Sequence, residues 1–174
     1  MARLPIVIAP HPVLKAKAKP VAAIDQSIHA LIDDMLETMY AAPGIGLAAN
    51  QVAQLKRVVV LDVSRDSQKP APMALVNPEI VWQSEQLSTY NEGCLSLPDH
   101  YADVTRPAEI RFRYLDRDGK SHERQADGLL ATCVQHEIDH LDGILFVDHL
   151  SALKRNIILR KLSKAQKAKA EAAM

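Results

Sequence analysis

At 174 residues the chain is long enough to bury a core, and it is read as one domain. Apolar residues make up 48% and charged residues 24%, and 21 Lys+Arg balance 21 Asp+Glu, so no global field draws the chain to nucleic acid or membrane, although local clusters still can. No apolar run approaches the length of a bilayer span, and the proline-bounded PIVIA near the N-terminus is too short for a signal-peptide core, which makes the cytoplasm the expected location. There Cys94 and Cys133, the only cysteines, read as ligands, nucleophiles or core fillers rather than as a disulfide.

Residues 25–41 place Ile28, Leu31, Ile32, Met35, Leu36 and Met39 at the helical period behind a capping Asp25, which predicts a core-facing helix ending before Pro43. RVVVLDV (57–63) reads as a buried strand, and SRDSQKPAP (64–72) as a loop. MALVNPEIVW (73–82) reads as a strand in which Pro78 marks a bulge or an edge. EQLSTYNEGCLSLPD has no clean period, and Cys94 is expected on a loop freed by Gly93 and ended by Pro98. In EIRFRYLDRDGKSHERQ, Ile110, Phe112 and Tyr114 alternate with Arg111, Arg113 and Leu115 around a DRDG hairpin turn. DGLLATCVQHEIDHLDG returns to helix, with Asp127 as cap and Gly143 as stop. From Ser151 onward a basic helix is expected to dock through Leu153, Ile157 and Leu162. Strands and helices in this order imply an α+β fold, with mostly antiparallel strands around a central metal-binding helix and a further helix at the C-terminus.

The chemistry begins at HEIDH. Residues four apart on a helix lie one above the other, about 5–6 Å between Cβ atoms, so His136 and His140 can each offer a ring nitrogen to one cation. Glu137 is rotated off that axis, where it reaches a metal-bound water without being a ligand; this is the sense of an HExxH motif. A catalytic site of this kind takes a third protein ligand and leaves one position open. The extended protease pattern fails, because Phe146 stands where a third histidine belongs, and the only glutamate after His140 is Glu171, close to the C-terminus. The third ligand is therefore expected upstream, with Asp142, Asp148 and His149 remaining as alternatives that lie too near in sequence to fold back easily. Cys133, on the same helix, converges poorly with both histidines and reads as an apolar wall. Cys94, in NEGCLSLP, is the better candidate.

GIGLAANQ (44–51), EGCLS (92–96) and HEIDH (136–140), in this order, resemble the signature blocks of the peptide deformylases, and HPVL and NPEI extend the likeness over nearly the whole chain. The resemblance implies that Cys94, His136 and His140 hold one divalent metal ion. Fe(II) is favoured, with Zn(II), Ni(II) or Co(II) possible in purified protein. It implies Glu137 as the acid–base residue, assisted by the Gln51 side-chain amide and the Leu95 backbone N–H. Ile45, Gly46 and Gly93 would bond an extended peptide, as an added strand does, and Ile45, Leu129, Cys133 and Tyr90 would line a pocket for methionine. The implied reaction is hydrolysis of the formyl group from the initiating methionine of nascent polypeptides. Residues 1–150 would form the catalytic metallohydrolase domain of a monomer, with 151–174 a basic helix packed on it. That helix is read with even weight as a solvated face or as a contact to ribosomal RNA. His100 and Tyr101 depart from the family, some of whose members carry an arginine at that place. Two rivals remain at this point: a metallopeptidase cutting internal bonds, disfavoured by the missing downstream ligand, and a binding module whose metal is closed by a fourth protein ligand.

Overall fold

The computed structural model describes residues 2–64 and 69–173. In chain order it contains α1 (Gln26–Ala41), β1 (Gly46–Ala48), β2 (Val58–Leu61), β3 (Met73–Gln83), β4 (Leu87–Cys94), β5 (Leu97–Pro107), β6 (Ile110–Leu115), β7 (Ser121–Ala126), α2 (Gly128–Leu141) and α3 (Ala152–Ala172). Short 3₁₀ turns precede α1 at Pro12–Lys15, follow β1 at Ala49–Val52 and precede α3 at Phe146–His149. No helix among the described residues is long and apolar enough to cross a membrane. The middle of the expected loop, residues 65–68, lies outside the described residues.

The sequence pattern of β2 dictates the layering. All four of its residues are buried, and successive side chains point to opposite faces. Val58 and Val60 pack with Ile28, Ile32, Met35 and Met39 of α1, whereas Val59 and Leu61 pack with Val134, Ile138 and Leu141 of α2. A five-stranded sheet in the order β1-β2-β3-β6-β7 therefore lies between two helices, with every strand pair antiparallel. Asp25 caps α1 by accepting from the Ile28 N–H at 3.2 Å, as its position predicts. The alternation along β6 holds: Ile110, Phe112 and Tyr114 are buried, and Arg111 and Arg113 are exposed. Register breaks between Val76 and Glu79, where Asn77 takes φ 50° and its amide exchanges bonds of 2.8 and 2.9 Å with the backbone of Val21. Here is the bulge that Pro78 predicts.

Two expectations are corrected. Residues 87–107 form a two-stranded sheet, β4 with β5, rather than an aperiodic stretch; Cys94 closes β4 at the tip of this hairpin, and Pro98 lies within β5. The expected loop is a strand end, which fixes the thiol more firmly. The C-terminal helix docks through Leu162 with Ile158 and Leu159, against Phe146, Val147 and Leu97, while Leu153 and Ile157 are 71% and 41% exposed. Residues 158 and 162 lie one turn apart, and 159 completes their stripe; the stripe begun by Leu153 and Ile157 runs into Arg160 and Lys161 and ends in solvent.

Candidate active site

Helix α2 starts after Asp127, which holds the N-cap position without a side-chain bond, and stops at Gly143, whose φ of 76° few other residues adopt. Ten of its residues are buried, His136, Glu137 and His140 among them. Burying imidazoles and a carboxylate costs several kcal/mol unless each finds a partner, and the partners here define the site.

His136 Nε2 and His140 Nε2 lie 3.2 Å apart, and Cys94 Sγ lies 3.2 Å from His140 Nε2. These three side chains are a group among the described residues whose ligand atoms all fall within 4.8 Å of one another. Ligand bonds of about 2.0–2.3 Å place donors about 3.3–3.6 Å apart around a tetrahedral ion, so the spacing and the N₂S donor set fit one divalent cation. Two buried imidazoles and a half-buried thiol whose donor atoms converge this closely form a ready seat for one cation.

Around the triad runs an ion-pair chain that the sequence does not announce. His136 Nδ1 meets Glu92 Oε1 at 2.9 Å. Arg106 donates to both oxygens of Glu92, at 2.7 and 3.0 Å, and to Asp139 at 2.8 Å; Asp139 also meets His149 at 2.8 Å. Burial opposes charge on Glu92 and Asp139, but the bonds from His136 and Arg106 to the first, and from His149 and Arg106 to the second, outweigh it and hold both carboxyls below their usual range. A carboxylate behind a ligating imidazole fixes its tautomer and ring orientation. Burial likewise opposes charge on His136, yet Glu137, Cys94 and Glu92 outweigh it and raise its affinity for positive charge well above the ordinary range. The same anionic field favours a metal cation. His140, pressed by burial and then by the positive neighbours His136, Arg106 and Lys15, stays neutral, with a free lone pair.

Glu137 faces the cleft, and its Oε1 is buried without a hydrogen-bond partner. Burial pushes its pKa up to about 7 against the pull of His136. It thus sits where an acid–base group exchanges protons most readily near neutral pH. The backbone at Gly46 passes so close that a Cβ there would fall on the Glu137 carboxylate and the Cys133 thiol. Gln51 is held by the Ala48 N–H at 2.9 Å, which aims its Nε2 at Ser96 Oγ (3.1 Å) and Cys94 Sγ (3.4 Å).

These groups open into a cleft of about 590 Å³. It is lined by Ile45, Gly46, Tyr90, Gly93, Leu129 and Cys133, together with Leu95, whereas Gln51 lies behind Cys94 and outside this lining. Burial, then the neighbouring Glu137 and Glu92, raise the Cys133 thiol well above its usual range, and its sulfur is not among the three converging ligand atoms.

Residues 3–156 match the family described as polypeptide deformylase. The chain belongs to that family. It is 58% identical over 170 residues to the peptide deformylase of Methylocella silvestris, covering 96% of this chain and 87% of that one. Its fold is similar to that of the peptide deformylase of Legionella pneumophila, at a TM-score of 0.89 and 44% identity, covering 97% and 98% of the two chains. It is also similar to the Ehrlichia chaffeensis peptide deformylase in complex with actinonin, at a TM-score of 0.90 and 41% identity, covering 95% and 98%. As a peptide deformylase the chain is a metal-dependent hydrolase that removes the N-formyl group from nascent polypeptides.

For this peptide deformylase, sequence reasoning missed Arg106, weighed His149 only as an alternative ligand, and named Glu92 and Ser96 only within EGCLS and Asp139 only within HEIDH. A single signal was available: a glutamate and an arginine in apolar surroundings, each needing a partner. Which partners they find is decided by the β4–β5 pairing.

Proposed function

We propose that Cys94, His136 and His140 hold the catalytic cation, and that Glu137, Gln51 and Leu95 act on the formyl group. When bound, the cation lowers the pKa of a water toward neutrality and polarises the formyl oxygen. Glu137 Oε1, unpartnered and buried, accepts the proton of the attacking water. As negative charge grows on the formyl oxygen, the Gln51 Nε2 amide and the Leu95 N–H donate to it; the bond from Ala48 fixes that amide in advance. Glu137 then passes its proton to the departing α-amine, which leaves as formate is released. Ile45, Gly46 and Gly93 offer main-chain bonds to the extended peptide, while Leu129, Cys133 and Tyr90 surround the methionine side chain.

A thiolate with two imidazoles suits Fe(II) or Zn(II), and we assign Fe(II) as the working metal. The reading also places the enzyme in the cytoplasm as a monomer. There the lysines and arginines of α3 face RNA near the ribosomal exit; salt-sensitive ribosome binding that persists after truncation at Leu150 would remove that role.

One observation carries the proposal: a buried carboxylate with an unpartnered oxygen, Glu137 Oε1, beside three converging metal-ligand atoms. Formate release from a formyl-Met peptide tests it. Glu137→Gln is expected to keep the metal and lose activity by about 10²–10⁴-fold. A variant that releases formate at the wild-type rate would exclude Glu137 as the base.

A further inference from the structure

The two donors assigned to the formyl oxygen stand on different sheets. Gln51 lies on the 3₁₀ turn after β1, in the five-stranded sheet, and Leu95 lies in the turn between β4 and β5. Among the described residues the two sheets share no strand pairing. The segment before the first 3₁₀ turn bridges them through its backbone. The Val7 N–H donates to the Gln51 carbonyl at 2.7 Å, and the Ala9 N–H donates to the Ser96 carbonyl at 2.8 Å. This strap is anchored at both ends. The Leu4 N–H donates to Thr38 Oγ1 of α1 at 2.8 Å, and Ala9 is buried in the cluster that holds Leu97 and Phe146. Gln51 and Ser96 are themselves 1% and 0% exposed, so water does not stand in for the strap as a partner.

Resting on the function proposed above, we infer that Val7 and Ala9 are positioning residues for the reaction: their main-chain N–H groups set the spacing between the Gln51 amide and the Leu95 N–H. Amides two residues apart lie at most about 7 Å from one another, so the strap limits the separation of the two carbonyls it holds. Leu95 directly precedes Ser96, and Gln51 Nε2 reaches Ser96 Oγ at 3.1 Å, so the same two turns meet again through side chains. A donor stabilises a growing oxyanion within about 2.7–3.1 Å of it, and misplacement by about 1 Å can cost about 100-fold. Two turns on separate sheets keep to that tolerance only when a stiff element joins them.

Val7→Pro removes the N–H, and the fixed φ of proline suits an extended chain. It should lower kcat about tenfold and leave KM within about twofold, because the lost alignment is felt as charge grows on the formyl oxygen. In a Gln51→Ala background the same change should cost about threefold or less, since one of the two aligned donors is already gone. A backbone ester at Val7 or Ala9, introduced as the α-hydroxy analogue of the residue, removes the N–H alone. It should reproduce both results even where the proline variant fails to fold. A loss carried by KM, an equal fold-loss of kcat with and without Gln51, or ester variants with wild-type kcat would overturn the inference while leaving deformylation intact. Gln51→Ala turning over at the wild-type rate would instead overturn the role of Gln51 in the proposed function, and this inference with it.

Discussion

Replacing Arg106 with leucine isolates the buried chain behind the metal ligands. Arg106 and Glu92 side chains are only 6% and 5% exposed, and the guanidinium holds both Glu92 oxygens and Asp139. Leucine fills much of the volume but leaves the Glu92 carboxylate facing His136 alone. Breaking one side of a buried pair costs about 3–5 kcal/mol, because the abandoned charge cannot regain water. With a urea dependence of about 2 kcal/mol per molar, the unfolding midpoint should fall by about 1.5–2.5 M. Arg113→Leu is the matched control. Its side chain is 52% exposed and spans Glu79 and Glu123 at 3.3 and 3.1 Å, an arrangement worth about 0–1 kcal/mol. Urea unfolding of both variants at a fixed excess of chelator, followed by circular dichroism, removes metal affinity from the comparison. Equal, small shifts for the two variants would show that burial does not set the strength of these pairs. With metal restored, Arg106→Leu should also bind it about 10–100-fold more weakly, because Glu92, no longer held by the guanidinium, fixes the His136 ring less firmly.

Cys94→Ser should lose or loosen the metal and Cys133→Ser should retain it, read by metal content after gel filtration; the reverse pattern would reassign the third ligand. Burial on its own would raise the Asp62 carboxyl, but bonds from the Tyr40 hydroxyl at 2.6 Å and from Ser64 and Ala71 N–H at 2.9 and 3.1 Å outweigh it and hold it below 3.8. A carboxyl depressed in the folded state stabilises fully above its unfolded pKa, and that contribution fades as pH falls through the folded value. Asp62→Asn should therefore be less stable than wild type at neutral pH and converge with it in acid, measured as thermal midpoint against pH. A constant gap between the two curves would contradict the assignment.

What could be read in advance follows a physical line. The α1 and α2 helices, β2 and β6 each bury a regular stripe or face, so their periods survive in the sequence; β7, exposed except at Ala126, was legible only through the DRDG turn that pairs it with β6. The β4–β5 hairpin buries no such stripe. Its strands stand partly in solvent on both faces, with Leu87 exposed and Tyr101 outward, so no apolar alternation marks them. HEIDH was legible because both ligands sit on one helix face. The Glu92–Arg106–Asp139 chain was not, because its members are 14 and 33 residues apart and meet only once the hairpin has formed. Cys94 lies between these cases: an unfilled ligand position called for a thiol, and the strand end that delivers it became visible only with the fold.

X-ray absorption at the metal edge of protein purified without oxygen tests the site most directly. One sulfur at about 2.3 Å and two imidazole nitrogens at about 2.0–2.1 Å are expected, with a light atom from solvent in the remaining position. A shell without sulfur, or one closed by a fourth protein ligand, would contradict the Cys94–His136–His140 site and the open position on which hydrolysis depends.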